Sequence, residues 1–298
     1  MHIWVRHFRD DKAVTDKAVD NRNEFARYGK RVVSQGGEDG IIEELFRRLG
    51  TTNPLCVEFG AWDGIHCSNT WNLWHNHGWS ALLIEGNPSR FQELERNIRG
   101  FAGVEGHCGF VRSGGPASLE AVLEKKVGGR TIDLMSIDVD GDDYYLFQSL
   151  ERHRPRVIVV EHNPTIPPDI ELVQQEGEYF GASALALERL GRRKAYTLVA
   201  MTETNCIFVD SAEFPKLGVD PPSLRDLFVS DSLTYVITSF GGVPFVNRTP
   251  LFWSPKHPEV IGDPPRFSGS ERFFPITFDI GRHRCPSFKD RLVAFFAK

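Results

Sequence analysis

From residue 55 the chain alternates short apolar runs with longer amphipathic stretches, and that alternation predicts a parallel sheet with crossover helices. The first strand spans 55–60, and a helix beginning around Ser68 or Asn69 runs through Trp71 to His77. A second strand, 80–86, leads to a helix with Asn87 as its N-cap and Pro88 at its first position. A strand near 104–110 and a helix from about Pro116 follow. The fourth strand, 132–139, ends in Asp140-Gly141-Asp142-Asp143, and a helix to about residue 152 leads to the fifth strand, 156–162. Beyond a Pro-rich loop at 163–168 comes an Ala/Leu-rich helix near 183–193. The apolar runs 196–201 and 206–209, separated by Thr202-Glu203-Thr204-Asn205, then read as an antiparallel hairpin.

The flanks have a different texture. Residues 1–37 carry eight Lys or Arg and five Asp or Glu with few apolar positions, which predicts a surface-lying helical lead-in. The polar turn from Ser34 to Gly40 precedes Ile41, Ile42, Leu45, Phe46 and Leu49, which recur at helical spacing and stop at Gly50. Residues 211–298 hold 11 of the 18 prolines and little periodicity. The expected organisation is a lead-in at 1–50, a core at 51–211, and a Pro- and aromatic-rich extension at 212–298 that serves as acceptor wall, cap or oligomer contact.

Composition narrows the function classes. The net charge of −5 and the lack of a long basic run argue against nucleic acid as the main partner. No apolar stretch reaches membrane-span length, and Arg6, Arg9, Asp10 and Asp11 interrupt the N-terminus where a signal peptide would be apolar. A soluble, cytoplasmic protein is expected. The five cysteines are scattered without CxxC spacing, so neither a disulfide framework nor a zinc site is expected.

In open α/β sheets ligands bind beyond the carboxyl ends of the strands. The first strand runs into Glu58-Phe59-Gly60-Ala61-Trp62-Asp63-Gly64. Its glycines admit close backbone approach, while Asp63 would repel a pyrophosphate and the GxGxxG spacing is absent. A sulfonium, an ammonium and ribose hydroxyls fit this turn better, which favours S-adenosylmethionine over NAD. Glu85, with Gly86 and Asn87 behind it, is placed to accept a ribose diol, or instead serves as a helix-capping carboxylate beside Asn87. Asp63 could instead cap its own turn. The helix start at Ser68, Asn69 and Thr70 could hold the donor's carboxylate by its amides. The turn carrying Gln35, Glu38 and Asp39 either starts a helix or covers the cofactor.

With sheet order 3-2-1-4-5-7-6, Asp138 and Asp140 converge with Glu161, His162 and Asn163. These residues either hold Mg²⁺ through oxygen ligands, or let His162 or Asp138 act directly as general base, or cap the helix at Asp142 without metal. The lone histidines His66, His75 and His77 read as surface or packing groups.

These stretches in this order resemble an FkbM-type methyltransferase: Ser34 to Ile42, Val57 to Gly64, Ser68-Asn69-Thr70, Ile84 to Asn87, Ile137 to Tyr144 and Glu161 to Pro167. The resemblance covers residues 34 to about 210. It implies a Rossmann-like class I sheet and S-adenosylmethionine-dependent O-methylation of a small-molecule hydroxyl or carboxyl. It implies donor-binding roles for Glu58, Gly60, Asp63 and Glu85, and a metal site at Asp138, Glu161 and Asn163. Two rivals remain at this stage: an NAD-dependent oxidoreductase, and a non-catalytic binding protein that keeps the fold.

Overall fold

The computed structural model describes residues 23–229 and, by backbone alone, 236–238, 244–246 and 274–275. The lead-in before residue 23 and most of the expected extension therefore lie outside the described residues. One compact unit takes in residues 18–163 and 168–229. Its elements are α1 (Glu38–Leu49), β1 (Leu55–Phe59), α2 (Trp71–Asn76), β2 (Ser80–Glu85), α3 (Pro88–Asn97), β3 (Val104–Cys108), α4 (Leu119–Lys126), β4 (Leu134–Ile137), α5 (Asp143–Ser149), β5 (Val157–Glu161), α6 (Ala184–Arg193), β6 (Tyr196–Met201), β7 (Asn205–Asp210) and α7 (Leu224–Leu227).

The expected sheet is present. Seven strands lie in the order β3-β2-β1-β4-β5-β7-β6. The first five are parallel, and β7 pairs antiparallel with both β5 and β6. This is the Rossmann-like methyltransferase arrangement.

The central strands are apolar throughout because both faces are covered. On β5, Ile158 and Val160 join one core with Leu119, Leu146, Leu187 and Leu227. Val157 and Val159 point the other way, into a core with Ile41, Leu45, Leu73, Leu94 and Leu217. Helices α4 to α7 thus cover one face, and α1 to α3 the other. Asn87 caps α3 as expected, its side chain accepting from the Ser89 and Arg90 amides.

At the amino ends of β4 and β5 the polar residues are structural. The Arg156 guanidinium donates to Asp133 at 3.2 Å and to Glu213 at 2.6 Å, while Asp133 accepts the Thr52 and Asn53 amides. The opposite end of the sheet is left for chemistry.

A second unit comprises residues 1–17, 164–167 and 230–298. Its described strands β8 (Val236–Thr238), β9 (Pro244–Val246) and β10 (Phe274–Pro275) form an antiparallel sheet in the order β10-β9-β8.

Candidate active site

The glycine turn after β1 is shaped by its closeness to β4. Gly60 has φ +75°, and a Cβ there would sit 1.7 Å from the Asp138 carbonyl oxygen. Only a residue without a side chain fits, and the Gly60 backbone remains open to solvent. The Ala61 amide is spent on the Ile84 carbonyl at 3.0 Å and its methyl is buried, so Ala61 does not present the donor contact expected of it. Trp62, at φ +49°, donates its amide to Glu85 Oε2 at 2.9 Å, and the Arg90 guanidinium lies 3.2 Å from its ring centroid. Glu85 Oε1 accepts the Asn87 amide at 2.6 Å. Glu85 thus ties the glycine turn to the start of α3 and keeps its carboxylate at the end of β2, with Gly86 and Asn87 beside it. Asp63 caps its own turn through Oδ1, which accepts the Ile65 and His66 amides at 2.9 and 2.7 Å.

Ser68, Asn69 and Thr70 require a correction. Their amides are already paired, to the Ile65 carbonyl, to Glu58 Oε1 and to Ser68 Oγ respectively. The anion gathered by this segment is internal: Glu58 accepts the Ser68 hydroxyl at 2.6 Å, the Asn69 amide at 2.8 Å and the Thr70 hydroxyl at 2.7 Å. Asn69 also donates to Ser136 Oγ at 3.1 Å. Glu58 is thereby a brace under the glycine turn, its buried carboxyl pushed up by desolvation and held down in part by these donors. Glu58→Ala leaves three buried donors without an acceptor, and a loss of about 3 kcal/mol is expected by chemical denaturation. Glu58→Gln keeps one acceptor oxygen and should lose less; equal melting of wild type and Glu58→Ala would refute the brace.

The turn before α1 stands beside this site, since Ser34 bridges Cys67. Asp39 Oδ2 accepts the consecutive amides of Val32, Val33 and Ser34 at 2.8, 3.0 and 2.9 Å. Glu38 reaches the Gly36 amide at 2.7 Å and the side chains of Thr202 and Asn205 on the β6–β7 turn. Gln35 is exposed on that turn, with its carbonyl held by Arg31.

The register of β4 against β5 aligns Ile137 with Val160, which carries Asp138 and Glu161 to adjacent ends one step on. With Asp140 they form a trio in which one carboxylate oxygen from each lies within 4.8 Å of those from the other two. Asp140 enters it from a left-handed turn, φ +58°. Asn163 sits in the following loop: its amide donates to the Ala182 carbonyl at 2.8 Å and its side chain to the Phe180 carbonyl at 2.8 Å.

His162 is also displaced from its expected role. It is 1% exposed, alternates to the other side of β5 from Glu161, and neither ring nitrogen makes a hydrogen bond. Burial lowers it to about 4, against the opposing influence of the Asn163 and Thr202 backbone, which makes it a poor proton acceptor. The acids move the other way. Burial, and then the charges of Asp143 and Asp140, hold the Asp138 carboxyl well above the usual carboxylate range; burial and the charge of Asp138 do the same for Glu161. Asp143 is pushed up to about 7 by burial, while its bonds from the Val139 and Gly141 amides oppose the shift.

One feature of the site was invisible to pattern reading. Gln174 clasps the loop after β5 to the acidic turn, donating to Asp142 Oδ1 at 3.0 Å and to the Glu178 carbonyl at 2.6 Å and accepting the Phe180 and Gly181 amides. No motif flags a single glutamine in a loop.

The model of the methyltransferase FkbM domain matches residues 117–194, the segment from α4 through α6. The expected resemblance is borne out there, and the match supports an S-adenosylmethionine-dependent methyltransferase as the enzyme class. No curated protein matches the sequence. Among solved structures, the chain is similar to the N-terminal domain of EvdMO1 with SAH bound, at 13% identity and TM-score 0.40 over 59% of this chain and 80% of that one. It is also similar to a putative caffeoyl-CoA O-methyltransferase from Staphylococcus aureus, at 14% identity and TM-score 0.41 over 65% and 93%. A third similarity is to the citrinin polyketide synthase CMeT domain, at 13% identity and TM-score 0.42 over 59% and 51%.

Proposed function

We propose, from the FkbM methyltransferase domain match over residues 117–194, that this chain transfers a methyl group from S-adenosylmethionine to an oxygen of a small-molecule acceptor. The observation that carries the reading is the acidic ligand end of the sheet. Asp138, Asp140 and Glu161 cluster at the carboxyl ends of β4 and β5, Gly60 packs against the Asp138 carbonyl, and Glu85 holds the Trp62 amide of the same glycine turn. Such a field favours a cationic ligand and opposes a pyrophosphate, which sets the NAD-dependent alternative aside.

The residues fit the donor's chemistry. Glu85 would accept the ribose diol and the Gly60 backbone would admit close approach. When bound, the donor supplies a methyl already activated on a sulfonium. Asp138 or Glu161, in its ionised form, would take the proton of the acceptor hydroxyl. The trio also fits a hard divalent cation, which would supply Lewis acidity to the same hydroxyl. Alignment carries much of the acceleration, because the site mainly has to orient two reactants.

Thermal unfolding with S-adenosylmethionine, S-adenosylhomocysteine and NAD, each with Mg²⁺ or chelator, tests this. A ligand at a hundred times its Kd stabilises by about 2.7 kcal/mol, so a rise of several degrees is expected with the two adenosyl ligands. A rise with NAD alone, or with none of the three, overturns the donor assignment. A further rise with Mg²⁺ would favour the cation over a direct base.

A further inference from the structure

Asp140 is an odd member of its trio. Its carboxylate is exposed, its backbone is left-handed at φ +58°, and among the described residues it has no hydrogen bond or ion pair of its own. It nonetheless stands within reach of Asp138 and Glu161, whose like charge opposes it. Left to itself, the residue would swing toward water and a relaxed backbone. Its place is set by the backbone on either side.

Asp143 provides one hold, taking the Val139 amide on Oδ1 and the Gly141 amide on Oδ2. The loop after β5 provides the other. A Cβ on Gly141 would lie 2.3 Å from the Glu178 carbonyl oxygen and 3.2 Å from Gln174 Nε2, so residues 174–181 form a strap pressed directly onto this turn. Asp142 is tied down with it, its Oδ1 accepting Gln174 Nε2 at 3.0 Å and the Gly177 amide at 2.7 Å. The strap is also stitched to the exit of β5, where Asn163 donates to the Phe180 carbonyl, and Tyr145 of α5 donates to the Gln174 carbonyl at 2.7 Å. It therefore joins the two strand ends that carry the trio. At its centre is one buried carboxamide with two donated and two accepted bonds. A glutamate of the same shape would lose both donors when ionised, and a methionine would make none of the four bonds.

We infer that Gln174 is a positioning residue: through Asp142 and Gly141 it fixes the turn that sets the Asp140 carboxylate against Asp138 and Glu161. What the trio does in catalysis belongs to the reading above; its assembly by the strap stands apart from that reading, and the test needs neither donor nor acceptor. In the full chain, under mildly alkaline conditions with chelator present, Asp138→Asn is expected to raise the urea midpoint. It should raise it by only about half as much when Asp140→Asn is already in place, because part of the charge it relieves is gone. In Gln174→Met that difference should vanish, Asp138→Asn giving the same increment with or without Asp140→Asn. A glutamine that merely stabilised its own loop would lower every midpoint and leave the difference intact. Asp142→Ala cuts the tie to the turn but keeps the three bonds of Gln174 within the strap, so it should act as Gln174→Met does and serves if that variant folds poorly. A difference that survives in both variants overturns the positioning role, as does its absence from the wild-type background.

Discussion

Gly60→Ala is expected to lower stability by on the order of 4 kcal/mol and to abolish S-adenosylhomocysteine binding. Two separate costs combine. An alanine held at φ +75° loses about 1–2 kcal/mol to the left-handed backbone itself. Its Cβ would also stand 1.7 Å from the Asp138 carbonyl oxygen, a distance no neighbour can absorb without moving the end of β4. That shift would break the Asp138 amide's bond to the Phe59 carbonyl and displace the carboxylate that follows. For a chain of this length the melting temperature should fall by roughly 8–16 °C. A variant melting within a degree or two of wild type would show that the β1–β4 contact is looser than described.

Asp138→Asn is expected to lower turnover by about 10²- to 10⁴-fold while S-adenosylhomocysteine binds as before. The amide keeps the shape but cannot take the acceptor's proton or serve as an anionic ligand. The same variant should gain stability relative to wild type as pH rises. Asp138 and Glu161 both titrate above their unfolded values. In the window from about pH 4 up through those raised values, the folded state holds protons that the unfolded state has released. Wild-type stability contributed by the pair is thus full below that window and is lost across it. Asparagine removes one of the two charges, so urea midpoints measured without divalent cations should diverge in favour of Asp138→Asn as pH increases. Parallel pH profiles would show that the two carboxyls are not in contact, and full turnover would remove Asp138 from the chemistry.

The sheet was readable because its signals are local. Apolar runs such as Val157 to Val160 and caps such as Asn87 declare themselves within a few residues. The convergence of Asp138 with Glu161 was readable as well, since parallel register carries two strand ends to the same place. Side-chain direction was less so. His162 lies one residue past Glu161, and the alternation of a strand sends it to the opposite face, so parity could have warned against pairing the two. Asn163 leaves the sheet entirely to hold the Phe180 carbonyl. Asp140 joins Asp138 and Glu161 as expected, but the left-handed turn that brings it there, φ +58°, is not announced by any spacing rule. Glu58 was misread for a different reason. An acid near the end of a strand looks the same in sequence whether it faces a ligand or three donors from residues ten to twelve positions on.

The placement of β7 has a consequence for how the molecule is made. It is the last strand of the large sheet in the chain yet lies inside it, between β5 and β6. On the ribosome, β5 therefore waits as a bare edge until residues 205–210 emerge, and β6 has no strand to join until then. The nascent protein carries Val157-Ile158-Val159-Val160 with open backbone amides and carbonyls through that interval, a template for association with other chains. A message truncated before residue 205 would freeze that hazard in place, so the hairpin that completes the sheet also covers the exposed edge of β5.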